Sequence, residues 1–78
     1  MKRNDLLIGA KVLHGSPGYK TPEIIERIIP LSTSWEVEFR SGVFTIIDND
    51  DLDTFKDDGE VYYMDGNHGG MTTMSYIG

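Results

Sequence analysis

Residues 35–47, WEVEFRSGVFTII, constrain the fold of this chain more than any other stretch. Apolar and polar side chains alternate through them at period two, the pattern of an antiparallel strand with one face in a core and one in water. In the middle, Ser41-Gly42 predicts a two-residue hairpin turn, with glycine relieving the positive φ that such turns demand. That turn pairs Arg40 with Val43, Phe39 with Phe44, Glu38 with Thr45, Val37 with Ile46 and Glu36 with Ile47. Trp35, Val37, Phe39, Phe44 and Ile46 then share the core face. Glu36, Glu38, Arg40, Val43, Thr45 and Ile47 make an amphipathic outer face, open to a partner or another strand.

The flanking segments extend an all-β pattern. Residues 6–14 read as a first strand and residues 23–31, EIIERIIPL, as a second. Ile24, Ile25, Ile28 and Ile29 also fit a helical stripe with Pro22 at its start, but β-branching and length favour a strand. Pro30, which lacks a donor, belongs near a strand end or bulge. Between the two strands, GSPGYKTP at residues 15–22 predicts a long loop with Tyr19 at its tip. After the hairpin, Leu52 and Phe55 at i, i+3 suit a single helical or 3₁₀ turn capped by aspartate. VYYM at residues 61–64 supplies a closing strand. Residues 65–78, rich in glycine, read as a flexible tail, although Met71, Met74, Tyr76 and Ile77 could add an edge strand or fold onto a partner.

This order resembles a Src-homology-3-like small barrel, and more narrowly the Tudor-like and KOW-type barrels found at the end of UvrD/PcrA-type helicases. Gly9, Val12 and His14 stand in a G-x-x-V-x-H opening, and Val37, Phe39, Gly42, Ile46 and Leu52 follow as V-x-F-x-x-G-x-x-x-I-x-x-x-x-x-L. The resemblance implies a five-stranded barrel over residues 6–64, an extension at residues 1–5 and a flexible tail at residues 65–78. It also implies a docking module, in some relatives for nucleic-acid machinery.

Size and charge narrow the function classes. With 78 residues the chain is one domain, burying only about 60% of the surface its unfolded form exposes. It has no cysteine, so neither disulfides nor thiolate metal sites are available. No apolar run is long enough to span a bilayer, and residues 6–8 are too short a stretch for a signal peptide, so a cytoplasmic protein is expected, in the host cytoplasm if viral. Charge is near balance up to Arg40, whereas Lys56 alone faces eight acids beyond it. Such a surface repels a phosphate backbone, which argues against direct nucleic-acid binding.

Candidate chemistry is sparse. His14 and His68 have no nucleophile at a recognisable triad spacing, and they read as structural, so no catalytic residue is assigned and no enzyme is expected. The aspartate run fails the EF-hand spacing, and Gly66, Gly69 and Gly70 lack the lysine of a phosphate loop, so neither metal nor cofactor is expected. What remains is a partner-binding surface. Asp50, Asp51, Asp53, Asp57 and Asp58, with Glu36 and Glu38, suit a partner with a basic surface, and Tyr19 and Tyr62 are the candidate aromatic anchors. Of the adjacent Tyr62 and Tyr63, only one can face the core. The reading is a non-enzymatic protein-binding module or regulator. The alternatives are an acidic nucleic-acid mimic of the kind phages make to inhibit host machinery, and an assembly subunit; the oligomeric state stays open.

Overall fold

The strand signals are realised in a computed structural model that describes residues 8–77. The expected extension at residues 1–5 and the first two residues of the expected first strand lie outside the described residues. In chain order the elements are β1 (Lys11–Ser16), β2 (Tyr19–Pro30), β3 (Ser34–Phe39), β4 (Phe44–Asp48), helix α1 (Asn49–Asp58), β5 (Glu60–Met64) and β6 (Met71–Tyr76). The strands form one six-stranded sheet in the order β4-β3-β2-β1-β6-β5, every neighbouring pair antiparallel. Among the described residues no helix is long and apolar enough to cross a membrane.

β2 runs through both halves of the sheet. Residues 19–24 pair with β1, while Ile25 and residues 27–30 pair with β3, with a bulge between Ile25 and Arg27. The extra residue, Glu26, lets Ile25 and Ile28 both turn inward although they are three apart. That spacing is what imitates a helical stripe in the sequence. The chain reverses from β1 to β2 at Pro17-Gly18, where Gly18 has φ 84° and Ser16 pairs directly with Tyr19. Proline followed by a positive-φ glycine is type II turn chemistry. The long loop expected at residues 15–22 is therefore a tight hairpin, and Tyr19 stands at a strand start rather than a loop tip.

The β3–β4 pairing differs from the expected one by one residue. Observed partners are Glu38 with Phe44, Val37 with Thr45, Glu36 with Ile46 and Trp35 with Ile47. The turn has three residues, not two: Gly42 N–H bonds the Phe39 carbonyl, Phe39 N–H bonds the Val43 carbonyl, and Gly42 carries φ 96°. A three-residue loop ending in a left-handed glycine adds the extra position. Val37 and Phe39 remain in the core, with Trp35 packed half-buried against it. On β4, however, Thr45 and Ile47 point inward, and Phe44 and Ile46 join Glu36 and Glu38 outside.

Two further expectations are corrected. The expected single turn is a helix of ten residues, ended by Gly59, whose N–H bonds the Phe55 carbonyl at 2.8 Å. Asp48 occupies its N-cap, yet its side chain makes no capping hydrogen bond. The expected tail contains β6, an interior strand between β1 and β5 with Met74 fully buried. The sheet is six-stranded and does not close into a five-stranded barrel. Its edges, β4 and β5, are spanned instead by α1, which sends Leu52 and Phe55 into the core, and by the loop after β5.

That loop caps the β4 edge. Ile46 N–H donates to Asp65 Oδ1 at 3.0 Å, and Gly66 N–H donates to the Ile46 carbonyl at 2.9 Å. Asn67 Nδ2 reaches the Phe44 carbonyl at 3.2 Å. Backbone groups that would otherwise offer an open ladder are thus occupied.

Candidate functional site

Helix α1 forms because its apolar residues fall on one stripe and its acids on the other. Leu52 and Phe55 are buried, while Asp50, Asp53 and Asp57 follow i, i+3, i+7 along the outward side. Asp51 and Asp58 flank that stripe. Acids at Asp50 and Asp51 suit the positive end of the helix dipole, and Lys56 suits the negative end. Lys56 leans inward, its Nζ 5.8 Å from the centre of the Trp35 ring, and Trp35 Nε1 donates to Asn49 Oδ1. The lone cation of the helix is drawn toward the indole, leaving the outward face negative. Asp51 shows the result: partial burial, then Asp48 and Asp50 beside it, hold its carboxyl above the usual aspartate range.

Beside the helix an open cleft of about 340 Å³ lies along β5, lined in part by Lys20, Asp51, Thr54, Glu60, Tyr62 and Thr73. It brings two of the expected partner residues together, Asp51 and Tyr62. Tyr62 is 58% exposed and Tyr63 2% exposed, so the adjacent pair splits between faces as expected. Tyr19 is 84% exposed, but the register sets it on the other face from Tyr62. The two tyrosines therefore do not form one aromatic groove.

Glu36 and Glu38 lie away from the helix on the outer face of β3. Arg27 donates to Glu38 Oε1 from Nε at 2.9 Å and from Nη2 at 2.7 Å. The neighbouring Glu36 and the Arg27 guanidinium hold the Glu38 carboxyl low, and Glu38 beside it holds that of Glu36 high. This pair is already engaged within the chain. The expected partner set is thus divided: the five helix aspartates with Tyr62 alongside, the glutamate pair on β3, and Tyr19 apart.

The sequence reading missed a buried polar cluster around Asp65, which is fully buried. Thr45 Oγ1 donates to Asp65 Oδ2 at 2.6 Å, and Asn67 N–H donates to Oδ1 at 2.8 Å. Since the single Thr45 hydrogen goes to Asp65, the Tyr63 hydroxyl donates to Thr45 across the 2.6 Å contact. Burial, and then the charges of Asp65 and Asp51, push the Tyr63 phenol well above its ordinary range. His68 Nε2 lies 3.4 Å from Asp65 Oδ2, and its Nδ1 accepts from Gly70 N–H at 3.2 Å. This fixes the tautomer with hydrogen on Nε2. Thr72 Oγ1 meets that same Nε2 at 3.4 Å. A catalytic relay sets acid and nucleophile on opposite ring nitrogens, whereas here Asp65 and Thr72 crowd one.

Among the described residues no group of three or more histidine, aspartate or glutamate side chains is arranged to hold a metal ion. Comparison of the chain with protein-family models, with curated proteins and with solved structures finds no match.

Proposed function

We propose that this chain is a small non-enzymatic protein-binding module that docks the outward aspartate face of α1 onto a basic surface of another protein. The observation that carries the reading is the segregation in α1. Five aspartates occupy its outward and flanking positions, and its one lysine is turned toward Trp35. Long-range attraction then speeds encounter with a basic partner more than it deepens the bound state, so binding is fast and salt-sensitive.

The second reading is nucleic-acid mimicry, in which the same carboxylates stand in for phosphates. It is favoured by the regular i, i+3, i+7 spacing of Asp50, Asp53 and Asp57. Affinity capture with matched baits tests both. Wild-type chain is expected to retain a basic protein that elutes as salt rises. A bait carrying Asp50→Asn, Asp57→Asn and Asp58→Asn is expected to lose it. Equal retention by the two baits contradicts the docking proposal; displacement of the captured protein by duplex DNA selects mimicry over simple docking.

A further inference from the structure

The outer face of β2, β1, β6 and β5 lies opposite the core, and α1 borders it at Asp51 and Thr54. Register lays its side chains in rows: Lys20, Gly15, Thr73 and Tyr62 in one, and Pro22, Leu13, Ser75 and Glu60 in the next. The centre is low, built from Gly15, Thr73 and Ser75 around half-buried Leu13. The two ends differ in charge. Lys20 stands on β2, while Glu60 stands on β5 with Asp51 of α1 beside it, and all three border the same open cleft. Across three strand spacings of about 4.8 Å, the backbones at the two ends stand about 14 Å apart, and among the described residues no ion pair joins Lys20 to Glu60 or Asp51.

We infer that this face is the interface of a two-fold dimer of the chain. A two-fold axis lying in the interface plane, running along the strands between β1 and β6, lays β2 of one copy over β5 of the other. Lys20 then stands over Tyr62 of the second copy, within a side chain's length of Glu60 and Asp51 there. Pro22 meets Glu60, and the low centres come together at the spacing of about 10 Å usual for packed sheets. Two-fold symmetry makes each charge contact twice. Charge complementarity selects this occupant: a basic peptide would leave Lys20 without a partner, and a nucleic acid would be repelled by Glu60 and Asp51. The interface engages Asp51 alone of the helix aspartates and leaves Asp50 and Asp57 exposed, so most of the acid face proposed above for docking stays outside it.

Four short strands make a small interface, so the dimer is expected to dissociate at roughly 1–100 μM. Sedimentation equilibrium from about 1 μM to about 1 mM tests this directly. Lys20→Glu and Glu60→Lys, both at exposed positions, should each weaken the dimer about tenfold, and the double variant should restore it to within about threefold. Glu60→Lys is the discriminating arm. It lowers the net negative charge, so any non-specific association would strengthen. A wild-type chain that stays monomeric at 1 mM overturns the inference, as does a dimer indifferent to the single changes or not restored by the double one.

Discussion

Asp65 is tolerated out of water because the fold surrounds it with donors: the backbone N–H groups of Ile46 and Asn67, the Thr45 hydroxyl and the His68 ring. A buried carboxylate without such partners would cost several kcal/mol. His14 is the contrasting residue. It is 8% exposed, its ring lies 4.8 Å from that of Phe39, and its Nε2 has no hydrogen-bond partner among the described residues. Burial lowers its pKa below the usual 6.5, outweighing Asp65 and Glu23, which favour the charged form. The unfolded chain therefore takes up a proton that the fold refuses. This contribution to stability is complete above 6.5 and is lost as pH falls from there toward the lowered value. Thermal melts between pH 7 and pH 5 should show stability declining, with the slope reduced in His14→Gln. An unchanged slope in the variant would show that His14 is not the titrating group.

At the scale of elements, what the sequence revealed and what it concealed have separate causes. Alternation in residues 34–39 and the β-branched run in β2 are local signals, and both strands were legible. Gly42 is compatible with a two-residue or a three-residue loop, and the apolar pattern of Phe44 and Ile46 favoured the shorter one. Turning Thr45 inward is acceptable only because Tyr63 and Asp65, 18 and 20 positions away, bond to its hydroxyl. No local rule supplies that. β6 was hidden similarly: Thr72, Met74 and Tyr76 face inward, a mixed set behind a glycine-rich turn, and the strand exists because β1 and β5 capture it from both sides. The outward acids of α1 were legible as charge, whereas the length of the helix that spaces them was not. Met74 tests the interior position of β6. Met74→Ala should cost about 3 kcal/mol in denaturant unfolding, the usual loss for truncating a fully buried methionine. A change near zero would return this segment to a dangling tail.

For the molecule as a whole, the account depends on how the two sheet edges are held together. α1 covers the gap at one end and the Asp65 loop fastens it at the other, so the acid face of the helix is presented on a fixed frame. If the loop were loose, β4 would be an open edge and α1 would rest on its own contacts, the buried Leu52 and Phe55 and the Asn49 bond to Trp35. Native-state hydrogen exchange at the Ile46 amide reads this directly, because that N–H has the Asp65 carboxylate as its acceptor. The account predicts that Ile46 is protected in wild type as strongly as residues of β3, and that Asp65→Ala strips this protection while leaving β1 and β2 protected. Rapid exchange at Ile46 in the wild-type chain would contradict it.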